Sequence, residues 1–286
     1  MSGSSAGLSW MKHLKVRRGI KVLAQARTMY NLHRTPFEDL LENILNVLDK
    51  YEARFTFPVV ASVARQKPEL LKKIIDSKSE IAIHGYKHVP LPFLSNENQS
   101  RDFRRAIEEY KRLGIPIQGF RAPYNMYNEY TKKIIDELGF LWDAGIGFSP
   151  ENRERREMFR VQIDGRDSKF ICIPLSGWSD DRMVEKYNYS IDEMVKVLKK
   201  TLDEARASNG VVMFDFHPIR IGQSAYLTVL EQLVSYGKTI GGWFPTVTEA
   251  VRHRSSHTGW YEHEFCCLLT GDIDNFYFRD YIKRLV

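Results

Sequence analysis

The chain has no apolar run approaching the roughly 18 residues needed to cross a bilayer as a helix, so a membrane span is not expected. Its opening stretch, MSGSSAGLSWMKHLKVRRGIKVLAQA, is basic but lacks an apolar segment of about 7 to 15 residues before a small-residue cleavage site, which argues against a secretory leader. Cysteine is scarce: Cys172, Cys266 and Cys267 cannot make a disulfide framework, and the last two are adjacent in an apolar run that reads as buried strand. Together these absences predict a reducing, cytoplasmic setting, with the basic amino-terminal stretch still able to touch an anionic membrane surface. No repeat, low-complexity tract or linker interrupts the chain, so residues 1–286 read as a single domain. Charge of one sign is also weak. With 42 basic against 36 acidic residues and no nucleic-acid-binding motif, the net charge of +6 describes a mixed surface, and nucleic acid is not an expected partner.

The chain does have hydrophobic residues, at 43%, and aromatics, at 12%, in amounts sufficient for a large core. Short apolar, β-branched or aromatic runs recur at Ala53 to Ala61, Glu80 to Tyr86, Ile117 to Tyr124, Phe140 to Ile146, Phe170 to Ser176, Val211 to Pro218, Gly241 to Phe244 and Phe265 to Asp274. Eight strand candidates is a barrel number. Between them lie segments of helical spacing, such as TPFEDLLENILNVLDKYE, where Thr35 is placed to cap and Pro36 to occupy the first helical position. Strand and helix alternate, which predicts an α/β class with mostly parallel pairing. The least regular stretch, Ser149 to Ser168, reads as an elaborated surface segment.

Polar clusters close the strands: HGYKH after Glu80, RAPY after Ile117, WDAG after Phe140, SGWSDD after Phe170, FHP after Val211 and GDID at the end of the last. In β/α barrels the loops that follow the strands converge on one face, so these clusters define the expected site. His84 and His88 lie directly after a strand with three residues between them, a spacing from which two imidazoles reach one cation. They read equally well as two histidines flanking a solvent loop. Asp272 and Asp274, at i and i+2, share one strand face and aim into a common mouth, or else they cap a turn before the helix FRDYIKRL. Asp215 and His217 repeat that arrangement, for which a buried histidine satisfied by a neighbouring carboxylate is the ordinary account. Arg121, charged at the end of an apolar strand, requires a carboxylate partner.

The order HGYKH, RAPY, WDAG, FHP and WFPTVTEAV resembles the polysaccharide deacetylase family, the NodB-like proteins of carbohydrate esterase family four, from about Thr35 onward. The resemblance implies a distorted (β/α) barrel of seven or eight strands. Members open with an apolar strand ending in Thr-Phe-Asp-Asp or Thr-Phe-Asp-x-Asp, yet no aspartate occurs between Met1 and Arg34. The matching element is LLTGDIDNF at the other end. We therefore expect a circular permutation, with residues 263–286 supplying the first family strand and helix between the strands at Ala53 and Gly241, and residues 9–34 a helical connection. It fails if Asp272 lies far from His84 and His88.

By the same resemblance Asp274, His84 and His88 ligate a divalent metal, Zn²⁺ first, with Co²⁺ and Ni²⁺ also suited. Asp272 is implied as general base, held ionised by Arg121; His217 as general acid, kept protonated by Asp215 or Asp143; and the amide of Tyr124 as oxyanion donor. Apart from the resemblance, Tyr86, Trp178 and Tyr124 are expected either to stack on a sugar ring or to pack the barrel mouth, and Asp143 is expected at the substrate. The implied activity is hydrolysis of the acetamide of an N-acetylated sugar. Two other readings stay open: an allantoinase-like hydrolase of cyclic imides or ureides, and a non-catalytic carbohydrate-binding relative. The exact substrate and the oligomeric state, a homo-oligomer included, are not legible.

Overall fold

In the computed structural model, residues 35–146 and 155–276 are described. Strands β1 (Thr56–Val59), β2 (Glu80–Ile83), β3 (Gly119–Phe120) and β4 (Trp142–Asp143) come first in the chain. After the small hairpin β5 (Gln162–Ile163) and β6 (Arg166–Asp167) follow β7 (Ile171–Cys172), β8 (Leu175–Ser179), β9 (Val211–Phe216), β10 (Gly242–Trp243) and β11 (Phe265–Gly271). The main sheet runs β7-β4-β3-β2-β1-β11-β9-β8, with β10 joined to β11, and every pairing in it is parallel. Helices cross between consecutive strands, as at Pro68–Asp76, Asn96–Arg112, Glu129–Glu137 and Ile191–Ala207. This is the expected α/β class and distorted barrel.

The run at Phe170 to Ser176, expected as one strand, is divided between the two edges of the sheet. Ile171 and Cys172 pair with β4, whereas Leu175 and Ser179 pair with β9. Only Ile173 and Pro174 stand between them. Three Cα steps span at most about 11 Å, so the sheet must curl until its edges nearly meet.

The tail strand is the most enclosed element. All seven residues of β11 are buried, Cys266 and Cys267 among them. One of its edges pairs with β9 from Cys266 to Gly271; the other is shared, β10 at Phe265 and Cys266 and β1 at Thr270. The expected position between the strands at Ala53 and Gly241 is thus corrected. Both of those strands lie along one edge of β11, and β9 fills the opposite side.

Local chemistry explains the element boundaries. Ser190 with Glu193, and Thr246 with Glu249, form capping boxes that start the helices Ile191–Ala207 and Val247–Ser256. The first described helix, Phe37–Lys50, starts differently from expectation: Pro36 occupies its N-cap and no side chain caps it, so Thr35 does not have that role. Its residues Leu40, Leu41, Ile44, Val47 and Leu48 are buried at the three- and four-residue spacing of one helix face. The irregular region contains the β5–β6 hairpin. The expected connection at 9–34, the terminal helix beyond Phe276 and residues 147–154 lie outside the described residues. Among the described residues, no helix is long and apolar enough to cross a membrane.

Candidate active site

The sheet register brings six strand ends to one mouth. His84 follows β2, Arg121 follows β3, Asp143 ends β4, Asp180 follows β8, Asp215 lies in β9 with His217 just after it, and Asp272 follows β11. Thr270 of β11 pairs with Asp215 of β9 and Thr56 of β1, which sets Asp272 level with the turn carrying His84.

His84, His88 and Asp274 converge. Asp274 Oδ1 stands 3.4 Å from His84 Nε2 and 3.3 Å from His88 Nε2. Those separations are long for hydrogen bonds. They match the edge of a coordination tetrahedron, since ligand atoms about 2.0–2.2 Å from Zn²⁺ sit roughly 3.3–3.5 Å apart. His84 is 1% exposed, its Nδ1 lies 2.9 Å from the carbonyl of Arg121, and its Nε2 is buried with no hydrogen-bond partner. A carbonyl at Nδ1 fixes the tautomer with the proton there and turns the Nε2 lone pair toward Asp274, as in histidines that ligate metals. The donor set therefore fits a divalent ion.

The turn between the two histidines has a support that local sequence did not reveal. Asp102, on the helix Asn96–Arg112, accepts hydrogen bonds from the amides of Tyr86 at 2.7 Å and Lys87 at 3.2 Å. Gly85 sits at φ +75°, and a Cβ there would lie 3.0 Å from the Lys87 carbonyl and 3.2 Å from Asp102 Oδ2. Because the carboxylate binds from another element, HGYKH in isolation contains no sign of it.

Arg121 is completely buried and ties three strands together. Its Nη1 donates to Asp215 Oδ1 at 2.6 Å and to Asp272 Oδ1 at 2.8 Å; Nη2 donates to Thr270 Oγ1 at 2.6 Å, which in turn donates to the Phe214 carbonyl. The expected carboxylate partner is there twice over. Burial raises the Asp215 carboxyl to about 7, against the pull of Arg121 and with the help of the Asp272 charge. One guanidinium thus faces two carboxyl groups, one of which, Asp215, is partly protonated near neutral pH. Asp272 Oδ2 remains directed to the metal-type cluster, 3.5 Å from His84 Nε2.

His217 is hydrogen-bonded to neither Asp215 nor Asp143; Asp215 helps to hold it protonated only through its charge, behind Asp181 and Asp180. Its Nδ1 lies 2.8 Å from Asp180 Oδ1, and its amide donates to Asp180 Oδ2 at 3.1 Å. Burial works against the imidazolium, but Asp181 and Asp180 overcome it and raise the His217 pKa well above the ordinary histidine value. Burial likewise opposes the Asp180 charge, and His217 with Arg220 brings its pKa below the ordinary carboxylate value. Asp180 and Asp181 belong to the strand-end cluster SGWSDD, but nothing in the local sequence distinguishes them as partners of His217. Asp180, Asp181 and His217 also come within metal-ligand spacing of one another. There, however, the imidazole is already hydrogen-bonded and Arg220 occupies the acidic side, so a cation fits poorly.

Three residues expected against substrate are engaged in other contacts. Asp143 is 1% exposed and its Oδ1 accepts the amides of Gly145 at 2.9 Å and Ile146 at 2.6 Å, so it anchors a turn. The Tyr86 ring is buried, with the Arg105 guanidinium 3.9 Å from its centroid. Trp178 lines a cavity of about 340 Å³ between β8 and the helix Ile191–Ala207, beside Arg182 and Tyr187. Tyr124 does border the mouth: its ring centroid is 4.3 Å from that of His88, and its backbone is left-handed at φ 59°. Such a conformation costs a non-glycine residue about 1 kcal/mol or more, and is typically retained at functional sites.

Burial pushes the Asp143 carboxyl up to about 6, against the pull of the two amides and Arg121. A carboxyl raised in the folded state binds protons that the unfolded chain releases, so its contribution to stability falls as pH rises from about 4 through 6. Asp143→Asn keeps an oxygen for both amides and removes this slope. In urea unfolding with chelator present, the stability of the wild type relative to the variant is expected to drop by about 2 to 3 kcal/mol between pH 4 and 7. Parallel curves would refute the assignment.

Residues 31–141 match the family model described as polysaccharide deacetylase. Chitin deacetylase 1 of Cryptococcus neoformans is 28% identical over 114 residues, which is 38% of this chain and 24% of that protein. The chain spans between 24% and 54% of the length of the curated relatives it matches. Among solved structures, one from Mycobacterium smegmatis assigned to the polysaccharide deacetylases superposes with a TM-score of 0.68 at 19% identity, over 87% of this chain and 88% of that one. PuuE allantoinase superposes at 0.66 with 18% identity, over 87% and 76%. At such identities the structures speak for the fold alone. The family-model match over residues 31–141, the deacetylase relatives and the order of the strand-end motifs agree: the chain is similar to the polysaccharide deacetylase family.

Proposed function

We propose that the protein removes N-acetyl groups from a sugar or sugar polymer, with a divalent ion, Zn²⁺ first, held by His84, His88 and Asp274. The observation that supports this most directly is the convergence of Asp274 on two imidazoles far away in sequence, at 3.3 and 3.4 Å. An ion held there supplies Lewis acidity to the acyl oxygen and acidifies water.

The remaining work falls to side chains. Arg121 holds one oxygen of Asp272, leaving the other toward the cluster to take the proton of the attacking water. As water adds to the acetyl carbon and the C–N bond breaks, His217, held by Asp180 through Nδ1, gives its Nε2 proton to the departing amine. Acetate and a free amino sugar result. The amide of Tyr124 is assigned to the oxyanion, a contribution of about 3 kcal/mol by analogy with other hydrolases. Parallel pairing of the tail strand with β1 and β9 supports reading Asp272 and Asp274 as the family's opening motif in permuted order.

Acetate release from N-acetylglucosamine oligomers, set against ring opening of a cyclic imide, tests the reaction. Activity on the imide alone would transfer the site to the allantoinase reading. Metal analysis provides the second test. His84→Ala is expected to abolish stoichiometric metal binding with the fold intact by circular dichroism; wild-type protein that binds no divalent ion when titrated with Zn²⁺ would favour the binding-module reading.

A further inference from the structure

A second polar network adjoins His217, and the proposed reaction does not yet use it. Arg220 enters from the short helix Pro218–Ile221 directly after His217 and is 1% exposed. Its Nη2 donates to Glu185 Oε1 at 2.6 Å, its Nη1 stands 3.0 Å from Asp181 Oδ1, and its Nε is 4.0 Å from Asp180 Oδ2. Glu185 lies on a five-residue π-turn, Arg182–Lys186, a rare helix form often found near functional sites.

His217 has one Nδ1 and two carboxylates within reach. Asp180 Oδ1 is at 2.8 Å and Asp181 Oδ1 at 3.8 Å. If the imidazole moved to Asp181, the ring would turn and its Nε2 would aim elsewhere. Arg220 holds the Asp181 oxygen by an ion pair, and Glu185 anchors the guanidinium from its other arm. The charged groups facing His217 are Asp180 and Asp181 from the end of β8, Asp215 from β9 with Arg121 behind it, Arg220 from its own helix, and Glu185 through Arg220.

We propose that Arg220 and Glu185 are positioning residues, which withhold Asp181 from His217 so that Asp180 alone orients the imidazole. The inference rests on His217 being the proton donor to the leaving amine. A buried guanidinium suits this task because its planar fork engages two carboxylates at fixed angles, which a lysine ammonium does not.

The test uses the full chain loaded with Zn²⁺ and N-acetylglucosamine tetramer as substrate. Arg220→Met is expected to lower kcat 10- to 100-fold with KM within about twofold, because orientation of the acid is lost and not substrate affinity. Its alkaline limb should also move to higher pH, since the imidazolium then faces two uncompensated carboxylates. The imidazole titration of His217 followed by NMR should move the same way. Adding Asp181→Asn to Arg220→Met removes the competitor and should restore most of kcat. Glu185→Gln should give a smaller loss of at least threefold and a limb moved slightly to lower pH, because it takes a negative charge from the network and leaves Arg220 in place. If Arg220→Met does not fold, the double variant and Glu185→Gln decide the matter, because the first leaves no unpaired Asp181 charge and the second keeps the cation. The proposal is overturned if Glu185→Gln is unchanged in kcat and limb, or if the Asp181→Asn change fails to rescue. His217→Ala is assayed in parallel. Full activity there removes the reading of His217 as acid, whereas an inactive His217→Ala beside an unaffected Glu185→Gln removes only the positioning role.

Discussion

Asp272→Asn is expected to lower kcat for acetate release by about 10²- to 10⁴-fold, the range ascribed to a positioned general base, while metal content stays at the wild-type level. The carboxamide keeps an oxygen to receive Arg121 Nη1, where Asp272 Oδ1 now sits at 2.8 Å, so the buried cation is not abandoned. What it loses is the second oxygen, 3.5 Å from His84 Nε2, as a proton acceptor. Asp274, His84 and His88 are untouched. Metal analysis beside initial rates therefore separates the two aspartates of the tail: Asp274→Asn should lose metal, and Asp272→Asn should keep it. Full turnover in the Asp272 variant would end the base assignment, and loss of its metal would mean that the two aspartates are not divided in this way.

The second large effect concerns Arg121. Arg121→Met leaves Asp215 and Asp272 in the barrel mouth without their shared cation, and removing one side of a buried ion pair typically costs about 3–5 kcal/mol. Thr270 loses its donor as well, although its hydroxyl still donates to the Phe214 carbonyl. Part of the loss is recovered by protonation of Asp215, whose carboxyl already sits at about 7. The destabilisation should accordingly be smaller at pH 5.5 than at pH 8, because a protonated Asp215 needs no countercharge. Arg121→Lys keeps the charge but has no second arm for Thr270, and an intermediate loss is expected. Denaturant midpoints of the three proteins at both pH values test this. A Met variant as stable as the wild type at pH 8 would show that the buried pair contributes nothing.

Much of this site was legible from residue order. His84, His88, Arg121, His217, Asp272 and Asp274 each follow or end an apolar run, and strands buried on both faces are the easiest element to read. Because parallel strands in a barrel point the same way, residues at their ends must meet. What could not be read was any partner arriving from elsewhere. Asp102 sits in NENQSRDFRRAIEEYKR, a segment so charged that one more aspartate carries no signal, and its bond to the Tyr86 amide exists only because that helix packs beneath the turn. Arg220 is the same case: an arginine in HPIRIG looks solvated until three carboxylates surround it.

Spacing placed aromatic residues less well. Tyr86 and Trp178 sit beside strand ends as sugar-stacking rings should, yet one is covered by Arg105 and the other turns to the helix Ile191–Ala207. Alternation along a strand tells which residues share a face; which face looks into the mouth depends on how the strand twists and what packs on it. The division of the run at Phe170 to Ser176 has a similar cause, since Pro174 offers no amide to a continuous ladder and the curl of the sheet hands the chain from β4 to β9.

The amino-acid sequence alone determined the alternation of strand and helix, the parallel pairing of the main sheet, and the residue types gathered at its carboxyl-terminal edge, because periodicity and strand-end chemistry are local properties. Tertiary structure alone decided which carboxylate serves which cation: Asp180 and not Asp215 for His217, Asp215 and Asp272 together for Arg121, and Asp274 for the two imidazoles. The physical reason is that ion-pair and ligand geometry depends on separations of a few tenths of an ångström between chain segments far apart in sequence, and only the packed barrel sets those distances.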